Sequence, residues 1–435
     1  MTTTILIILA VMGAAYAVAK AKGLSVELSM LAAALAGGLA GSAVKTPPFG
    51  ELGRHVVEGT FTFLDVILVF FTATLFMSIV HESGGINYVV RGTIRALAGK
   101  RLAALLVLMI IVLIPGALTG AGSVSLLVVG APVALALGRL GIPKKRVAAI
   151  LFILAGLSAV APPVNIWAMI LCAGTAIPYV GFELVLGIPC LILGAFTVLL
   201  LGWKKDPIMA RDSDEIPDVP AGMNWWRVLV PFVLFFGMVA ASRLWPFATP
   251  ILGLALEFCI AGLAAFLLSP KRIPILSLSR DTVKRLLPLL STIIVVGVLQ
   301  QVMTATGVRG LLSFAVISTP PVLLFILLPV IIPCSEGILT FGGAAIVGIP
   351  LIWFLDSIGY HATVVIAALS FLWALGDGLP PTALIGRLSN MVAGYRDSYW
   401  AFLKSTWIPW VVITAVAMLM ILFSSKLAFL VRWSM

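Results

Sequence analysis

Charged side chains are scarce in this chain. Lys, Arg, Asp and Glu make up 10% of its 435 residues, and 61% are hydrophobic. A soluble domain carries roughly 25% charged residues, so that class is excluded and a polytopic membrane protein is left. Cysteine is rare as well, and Cys172, Cys190, Cys259 and Cys334 all lie in apolar runs, which excludes a disulfide framework or a CxxC metal pair. The three histidines, His55, His81 and His361, form no HExxH or other ligand spacing, so no metal centre is expected from them.

What the chain has in place of charge is apolar length. Thr60 to Glu82, Gly181 to Trp203 and Thr406 to Ser424 approach or exceed the roughly 20 residues needed to cross a hydrocarbon core. The first run, Thr3 to Val18, has no basic segment before it and no small-residue cleavage site after it. It reads as a retained helix rather than a signal peptide.

The net charge of +11 is unevenly placed. Basic residues cluster at Lys20/Lys22, Lys100/Arg101, Lys144/Lys145/Arg146, Lys204/Lys205, Lys271/Arg272 and Lys284/Arg285, whereas the stretches near Pro48, Leu244, Thr319 and Tyr360 carry few or none. Such clusters mark the cytoplasmic side of a membrane protein. Orientation accounts for the charge, and no nucleic-acid partner is expected.

Two Pro-Pro pairs interrupt apolar runs, at Pro162/Pro163 and Pro380/Pro381, 218 residues apart. Pro115 and Pro333, the Gly-x-Pro turns at Gly130 and Gly348, and Gly141 and Gly359 keep the same offset, without a gap over about fifty residues. Unrelated apolar segments share leucines and valines, but not this punctuation, so the chain is a duplicated unit. Upstream, Gly85 pairs with Gly307 if a few residues are gained between. The loop GRLGIPKKR of the first copy is basic, whereas its counterpart DSIGYHA has no Lys or Arg. The two loops are therefore expected on opposite sides, as in inverted-repeat secondary transporters with interrupted helices and a midplane site.

The expected fold is an all-α polytopic membrane protein with an inverted structural repeat, about ten spans, two re-entrant hairpins and two broken helices. The N-terminal half covers 1–203, with a hairpin at about 101–138 and a broken helix at about 145–180; a cytoplasmic linker covers 204–225. The C-terminal half covers 226–435, with a hairpin at about 320–356 and a broken helix at about 361–395. In this reading Arg101 to Ile114 and Pro321 to Ile332 form the entering arms, ending at the tips PGALTGAGS and PCSEGILTFGG, and the first broken helix runs on to Val180. Simple spans are expected at about 3–20, 26–45, 60–82, 181–203, 226–245, 249–268, 286–305 and 406–425. That path puts both termini outside. Trp203, Trp225, Trp226 and Trp245 read as interfacial anchors, because their rings favour headgroup depth.

Irregular backbone is tolerated at membrane depth only where it lines a cavity or is buried in protein. Tips and breaks are therefore the candidate site. Gly116, Gly120, Gly337 and the prolines 162, 163, 380 and 381 shape them, and Thr119, Ser123, Ser125, Asn165, Ser335, Thr340 and Thr382 bring side-chain oxygens. Each of these oxygens is a candidate ligand or the cap of a broken helix. Glu336 and Asp377 stand apart, because an acid at membrane depth costs about 2.5 to 3.5 kcal/mol on insertion scales and is functional by default. Ser123, Asn165, Glu336 and Asp377 are the sodium candidates. If either acid takes up a proton in the cycle, the coupling ion is a proton instead. Asp65 lies outside the repeated breaks and reads as structural.

The Gly- and Ser-rich tip followed by APPVNIWAMILCAGTAIPYVGFELVLGIPCLILGAF resembles the large membrane subunit of tripartite ATP-independent periplasmic (TRAP, DctM-like) transporters, in the ion transporter superfamily. The matching landmarks are Pro162/Pro163, Gly174/Thr175, Gly187 to Pro189, Glu336 and Pro380/Pro381. Asp377 within GDGLPP and the tip GALTGAGS depart from the family pattern. The resemblance implies sodium-coupled import of small organic acids such as C4-dicarboxylates across a bacterial inner membrane. It also implies two partners, a small four-helix membrane subunit and a periplasmic solute-binding protein. No resident cofactor is expected, and the chain reads as a carrier rather than an enzyme. A stand-alone sodium- or proton-coupled symporter or antiporter of the same superfamily is the main alternative. A passive channel lacks a continuous polar path here, and an intramembrane aspartyl protease lacks its Tyr-Asp partner motif.

Overall fold

The computed structural model describes residues 2–96, 100–203, 219–245, 250 and 252–432. Residues 204–218, most of the expected linker and its Lys204/Lys205 cluster, lie outside the described residues. Among those described, regular structure is helical throughout. In lipid every backbone N–H and C=O must be satisfied within the protein, and a helix does this within its own segment.

The first half runs α1 Thr2–Ala21, α2 Val26–Ala43, α3 Phe49–Phe61, α4 Leu64–Glu82, α5 Gly85–Ala96, α6 Arg101–Thr119, α7 Gly122–Ser125, a π-helical turn at Leu126–Gly130, α8 Ala131–Arg139, α9 Lys144–Val160, α10 Ile166–Thr175 and α11 Glu183–Gly202. The second half runs α12 Trp225–Leu244, α13 Gly253–Leu267, α14 Ile275–Ala305, α15 Val308–Ser318, α16 Pro321–Leu339, a π-helical turn at Ala344–Gly348, α17 Ile349–Ser357, α18 Ala362–Gly376, α19 Leu384–Val392, α20 Tyr399–Ser405, α21 Trp407–Leu422 and α22 Ser424–Arg432. Among the described residues nine helical stretches are long and apolar enough to cross a membrane, ten if the pair α20–α21, bent by 54°, counts as one.

The element starts repeat at a near-constant offset. α1 and α12 begin 223 residues apart, at Thr2 and Trp225, and so do α5 and α15, at Gly85 and Val308. α6 and α16 begin 220 apart, and from the π-helical turns through α8/α17, α9/α18 and α10/α19 the offset is 218. The likeness of the halves thus reaches well beyond the fifty residues of shared punctuation. The α1–α2 pair packs through α2 against α14, while its counterpart α12–α13 packs through α13 against α4. Each half therefore braces the other.

Several expectations need correction. The entering arms do not stop at Ile114 and Ile332, because α6 continues through Pro115 to Thr119 and α16 through Pro329 and Pro333 to Leu339. Proline inside a membrane helix is tolerated where neighbouring groups satisfy the freed carbonyls. Gly116, Thr119, Ser335, Glu336 and Gly337 consequently sit on the last helical turns of the arms, and the irregular tips shrink to Gly120–Ala121 and Thr340–Phe341. The offset of 220 in these arms also moves the register. Pro115 corresponds to Ser335 rather than Pro333, and Gly116 corresponds to Glu336. α10 ends at Thr175 rather than Val180, and α14 is 31 residues long, beginning well before residue 286. The helices α3, α5, α15, α20 and α22 add to the expected spans.

Contacts between helix ends define two faces. At one, Lys271 pairs with Glu82 at 2.8 Å, Tyr88 meets Trp225 at 5.3 Å between ring centroids, and Lys144 approaches Gly394. There too, Arg101 at the start of α6 donates to the carbonyls of Leu140, just after α8, and Gly202, at the end of α11. This is the basic face. At the other, Ile5 packs on Gly307 and Gly41 on Thr306. Phe325 meets Tyr360 at 5.6 Å, the His361 N–H donates to Ser424 Oγ at 3.1 Å, and Ser425 Oγ donates to the Gly359 carbonyl at 2.8 Å. The first hairpin begins and ends at the basic face and the second at the opposite face, so the two copies are inverted. α9 and α18 form the centre. Val147–Val160 and Thr363–Gly376 are buried at every position, as expected for helices apolar all round.

Candidate functional site

The site is built where α9 and α18 cross. Gly156 of α9 rests on Ala374 of α18, and Ile153, Leu157, Phe371 and Leu375 line a narrow gap beside them. Each crossing helix then meets the hairpin of its own copy. In the first copy Gly116 of α6 lies against Ser158; in the second Glu336 of α16 lies against Gly376. A Cβ on either glycine would overlap its neighbour, so close approach of two backbones fixes glycine on one side of each contact.

At the first break α9 ends at Val160, and the chain passes through the cis Pro162–Pro163 bond before α10 begins. The Val164 N–H donates to the Ala117 carbonyl at 3.0 Å, which docks the hairpin on the break. Gly120, at φ 69°, packs on Val164 and Ile166. α10 continues about 15 Å beyond that point, to Gly174, whose carbonyl accepts from Arg309 near the opposite face, so this hairpin tip lies within the membrane thickness.

Asn165 caps α10, its Oδ1 accepting from the Ala168 N–H at 3.0 Å while Nδ2 donates to the Val160 carbonyl at 3.2 Å. Such a cap is worth about 0.5 to 2 kcal/mol. Thr119 Oγ1 donates to the Pro115 carbonyl at 2.7 Å, and Ser125 Oγ donates to the Val112 carbonyl across the hairpin. Ser123 is buried beside the tip. Tyr179 closes the unit: its phenol donates to the Pro163 carbonyl at 3.0 Å and accepts from the Asn165 N–H at 3.0 Å.

The second break repeats this frame with different chemistry. The cis Pro380–Pro381 bond follows α18, and Thr382 donates twice to the Gly337 carbonyl, from N–H at 3.1 Å and from Oγ1 at 2.9 Å. The Tyr399 phenol donates to the Gly378 carbonyl at 2.6 Å. Tyr179 and Phe182 stack at 4.9 Å, and Tyr399 and Phe402 meet at 5.4 Å, so the same Tyr-x-x-Phe clasp holds both breaks. Ser335 Oγ donates to the Ile332 carbonyl at 2.7 Å and accepts from Trp373 Nε1 at 3.2 Å. Thr340, at φ 52°, turns the tip, its Oγ1 donating to the Leu339 carbonyl.

Glu336 and Asp377 are brought together here, 1% and 7% exposed, because Glu336 lies against Gly376, the residue that precedes Asp377. Among the described residues neither carboxylate has a salt bridge. Glu336 Oε2 is buried without a hydrogen-bond partner, and so is the indole Nε1 of Trp167, whose ring meets Phe341 of the second tip at 5.5 Å between centroids. A paired acid with an unsatisfied oxygen, next to turns rich in carbonyls, is a donor set suited to a hard cation such as sodium or to a proton.

The polar chemistry is therefore concentrated at the second break. Ser123 and Asn165, the other two sodium candidates, belong to the first, whose hydroxyl and amide groups serve largely as caps. Asp65 lies in the first turn of α4, where the helix dipole favours an acid. Sequence reasoning passed over Trp167, Ser158, the two clasp tyrosines and Arg387, whose Nη2 donates to the Pro381 carbonyl at 3.0 Å. The repeated Tyr-x-x-Phe, at Tyr179 and Tyr399, was the one signal that could have found any of them.

The chain shares its fold with a solved transporter. It matches the crystal structure of the YdaH transporter of Alcanivorax borkumensis, described as having an unusual topology, with a TM-score of 0.57. The match covers 84% of this chain and 87% of YdaH at 14% sequence identity. No family model and no curated protein matches by sequence. At that identity YdaH speaks for the architecture, nearly end to end, and leaves the chemistry of the site to the residues themselves.

Proposed function

We propose that this chain is a secondary active carrier of small organic acids, dicarboxylates or related carboxylates, coupled to sodium. The observation that carries the reading is the buried pair Glu336 and Asp377 at the second break, free of any salt bridge among the described residues. Two acids held this way favour a cation between them, and occupancy of that site is what a downhill ion gradient would drive. Fold likeness to a transporter supports the class. By the positive-inside rule the basic face is cytoplasmic. The start of α1 and α22, at the opposite face, are then periplasmic in a bacterial inner membrane.

The resemblance to TRAP large subunits assigns the chain two partners, a small four-helix membrane subunit and a periplasmic binding protein. The stand-alone reading is favoured by a different observation: a single chain, YdaH, accounts for the architecture over most of both lengths. Uptake of labelled carboxylates into proteoliposomes separates the two. It would be measured with an imposed sodium gradient, a proton gradient or neither, and with or without the candidate partners. Sodium-dependent uptake that needs both partners supports the tripartite carrier. Uptake by the chain alone makes it a stand-alone symporter. Uptake of no carboxylate under any of these conditions overturns the reading.

A further inference from the structure

The two breaks occupy equivalent positions in the duplicated unit, yet one is covered and the other is open. Ile166 and Met169 in α10 are 0% and 9% exposed. Their counterparts 218 residues on are Leu384, 41% exposed, and Arg387, which is also exposed. Pro380 and Pro381 are exposed, where Pro162 and Pro163 are half-buried. With Met391, 69% exposed, these residues form one open stripe down α19 from the break. α19 leads from that break to the basic face, where Gly394 meets Lys144.

Arg387 decides what the stripe faces. A lipid-facing arginine inside the membrane is costly, about 2.5 to 3.5 kcal/mol on insertion scales, and it escapes by reaching for the headgroups. Arg387 does the reverse. Its guanidinium turns back to the Pro381 carbonyl, toward the break and away from the basic face. That direction is favourable if the stripe borders water. The fork has five N–H donors, suited to a carboxylate in bidentate geometry. The Gly386 N–H donates to the Asp377 carbonyl at 3.3 Å, and the Tyr399 phenol, on the Gly378 carbonyl, packs on Gly386, so the cation of the arginine and the acid pair share one neighbourhood.

We propose that Arg387 anchors the carboxylate of the transported acid in a water-filled vestibule that opens to the basic face. The inference rests on the carrier reading above and names the residue that reads its substrate class. The asymmetry of the two breaks then has a simple meaning: this conformation is open on one side and closed on the other. It also orders binding. Empty, Glu336 and Asp377 repel an anion beside Arg387. A monovalent cation bound between them lowers the site's charge from −2 to −1, which weakens that repulsion and lets the acid dock.

The test introduces one cysteine at a time on the open stripe and leaves Arg387 intact, Leu384→Cys and, as a second position, Met391→Cys, with the exposed Cys259 and Cys334 replaced by Ser and the buried Cys172 and Cys190 kept. Vesicles of each orientation receive a membrane-impermeant thiol reagent, with or without sodium and the carboxylate that the uptake assay identifies. Labelling is expected from the basic face, slowed at least tenfold by acid plus sodium but not by the uncharged amide of the same acid. Arg387→Gln is expected to abolish that protection, and Arg387→Lys to retain part of it.

Labelling of neither cysteine from the basic face would overturn the vestibule. Protection unchanged in Arg387→Gln would overturn the anchor while leaving the carrier reading intact. If the wild-type protein takes up no carboxylate at all, the carrier reading fails and the anchor with it, and the labelling still decides whether the vestibule exists.

Discussion

Gly156 of α9 rests against Ala374 of α18, the residue that is its own counterpart 218 positions along the chain. Equivalent residues can touch only on or near the axis that relates the two copies, so this contact marks the centre of the molecule. The crossing is close because one partner has no side chain.

A Cβ at position 156 would lie 3.3 Å from the Ala374 carbonyl oxygen and 3.6 Å from its Cβ. Gly156→Ala should therefore be tolerated with a small loss of thermal stability. Gly156→Leu has no space to fill and should cost about 1 to 3 kcal/mol, as overpacked cores do. Thermal unfolding of the purified protein in detergent checks both. A leucine variant as stable as the wild type would mean that the helices do not cross there.

Glu336→Gln and Asp377→Asn should each lower ion-coupled uptake at least tenfold, with insertion and expression unchanged. The neutral side chains keep the shape of the site and remove its attraction for a cation. Direct sodium binding by the purified variants separates coupling from folding. Normal sodium affinity and uptake in either one would remove that residue from the site.

The clasp tyrosines give a graded prediction. Tyr399→Phe removes one hydrogen bond, to the Gly378 carbonyl, and should cost about 1 kcal/mol, more if the carbonyl is left unpaired. Tyr179→Phe removes a donor from Pro163 and an acceptor from the Asn165 N–H at once. The larger destabilisation is expected at Tyr179, read as the difference between the two melting temperatures. Equal shifts would show that the Asn165 N–H finds another acceptor.

Arg101 ties the start of the first hairpin to Leu140 and to Gly202. Arg101→Gln should loosen three helix ends together and speed proteolysis in the loops of the basic face several-fold. Arg101→Lys should not rescue it, because a single ammonium cannot hold two separated carbonyls as the planar fork does. Full protection in the lysine variant would reduce Arg101 to a point charge.

Much of this was legible beforehand, for identifiable reasons. Paired prolines and Gly-x-Pro turns are punctuation that survives in apolar sequence, so both breaks and the returning arms could be located closely. Charge placement carried the inversion, because the loop after α8 is basic and the loop after α17 is not. Pro115 and Pro333 misled, since a proline that ends a helix in water is accommodated in a membrane helix flanked by partners. That error displaced Glu336 from its helix and hid its equivalence to Gly116. α5 and α15 are too short to announce themselves by hydropathy. Trp167 and the approach of Glu336 to Asp377 depend on contacts between segments far apart in the chain, and the openness around Arg387 depends on what packs against α19, which no local pattern encodes.

The exchange at the two hairpin contacts has a consequence for how such a protein arose. Gly116 faces Ser158, and Glu336 faces Gly376, so at each contact the bulk sits on one partner only. Starting from the arrangement of the first copy, an acid at the contact takes two substitutions, because the residue opposite must shrink to glycine as well. A duplicated chain offers a way through that constraint, because one copy can keep the fold while the other passes through the intermediate. Installing an acid at position 116 should likewise take two steps, with Ser158→Gly first.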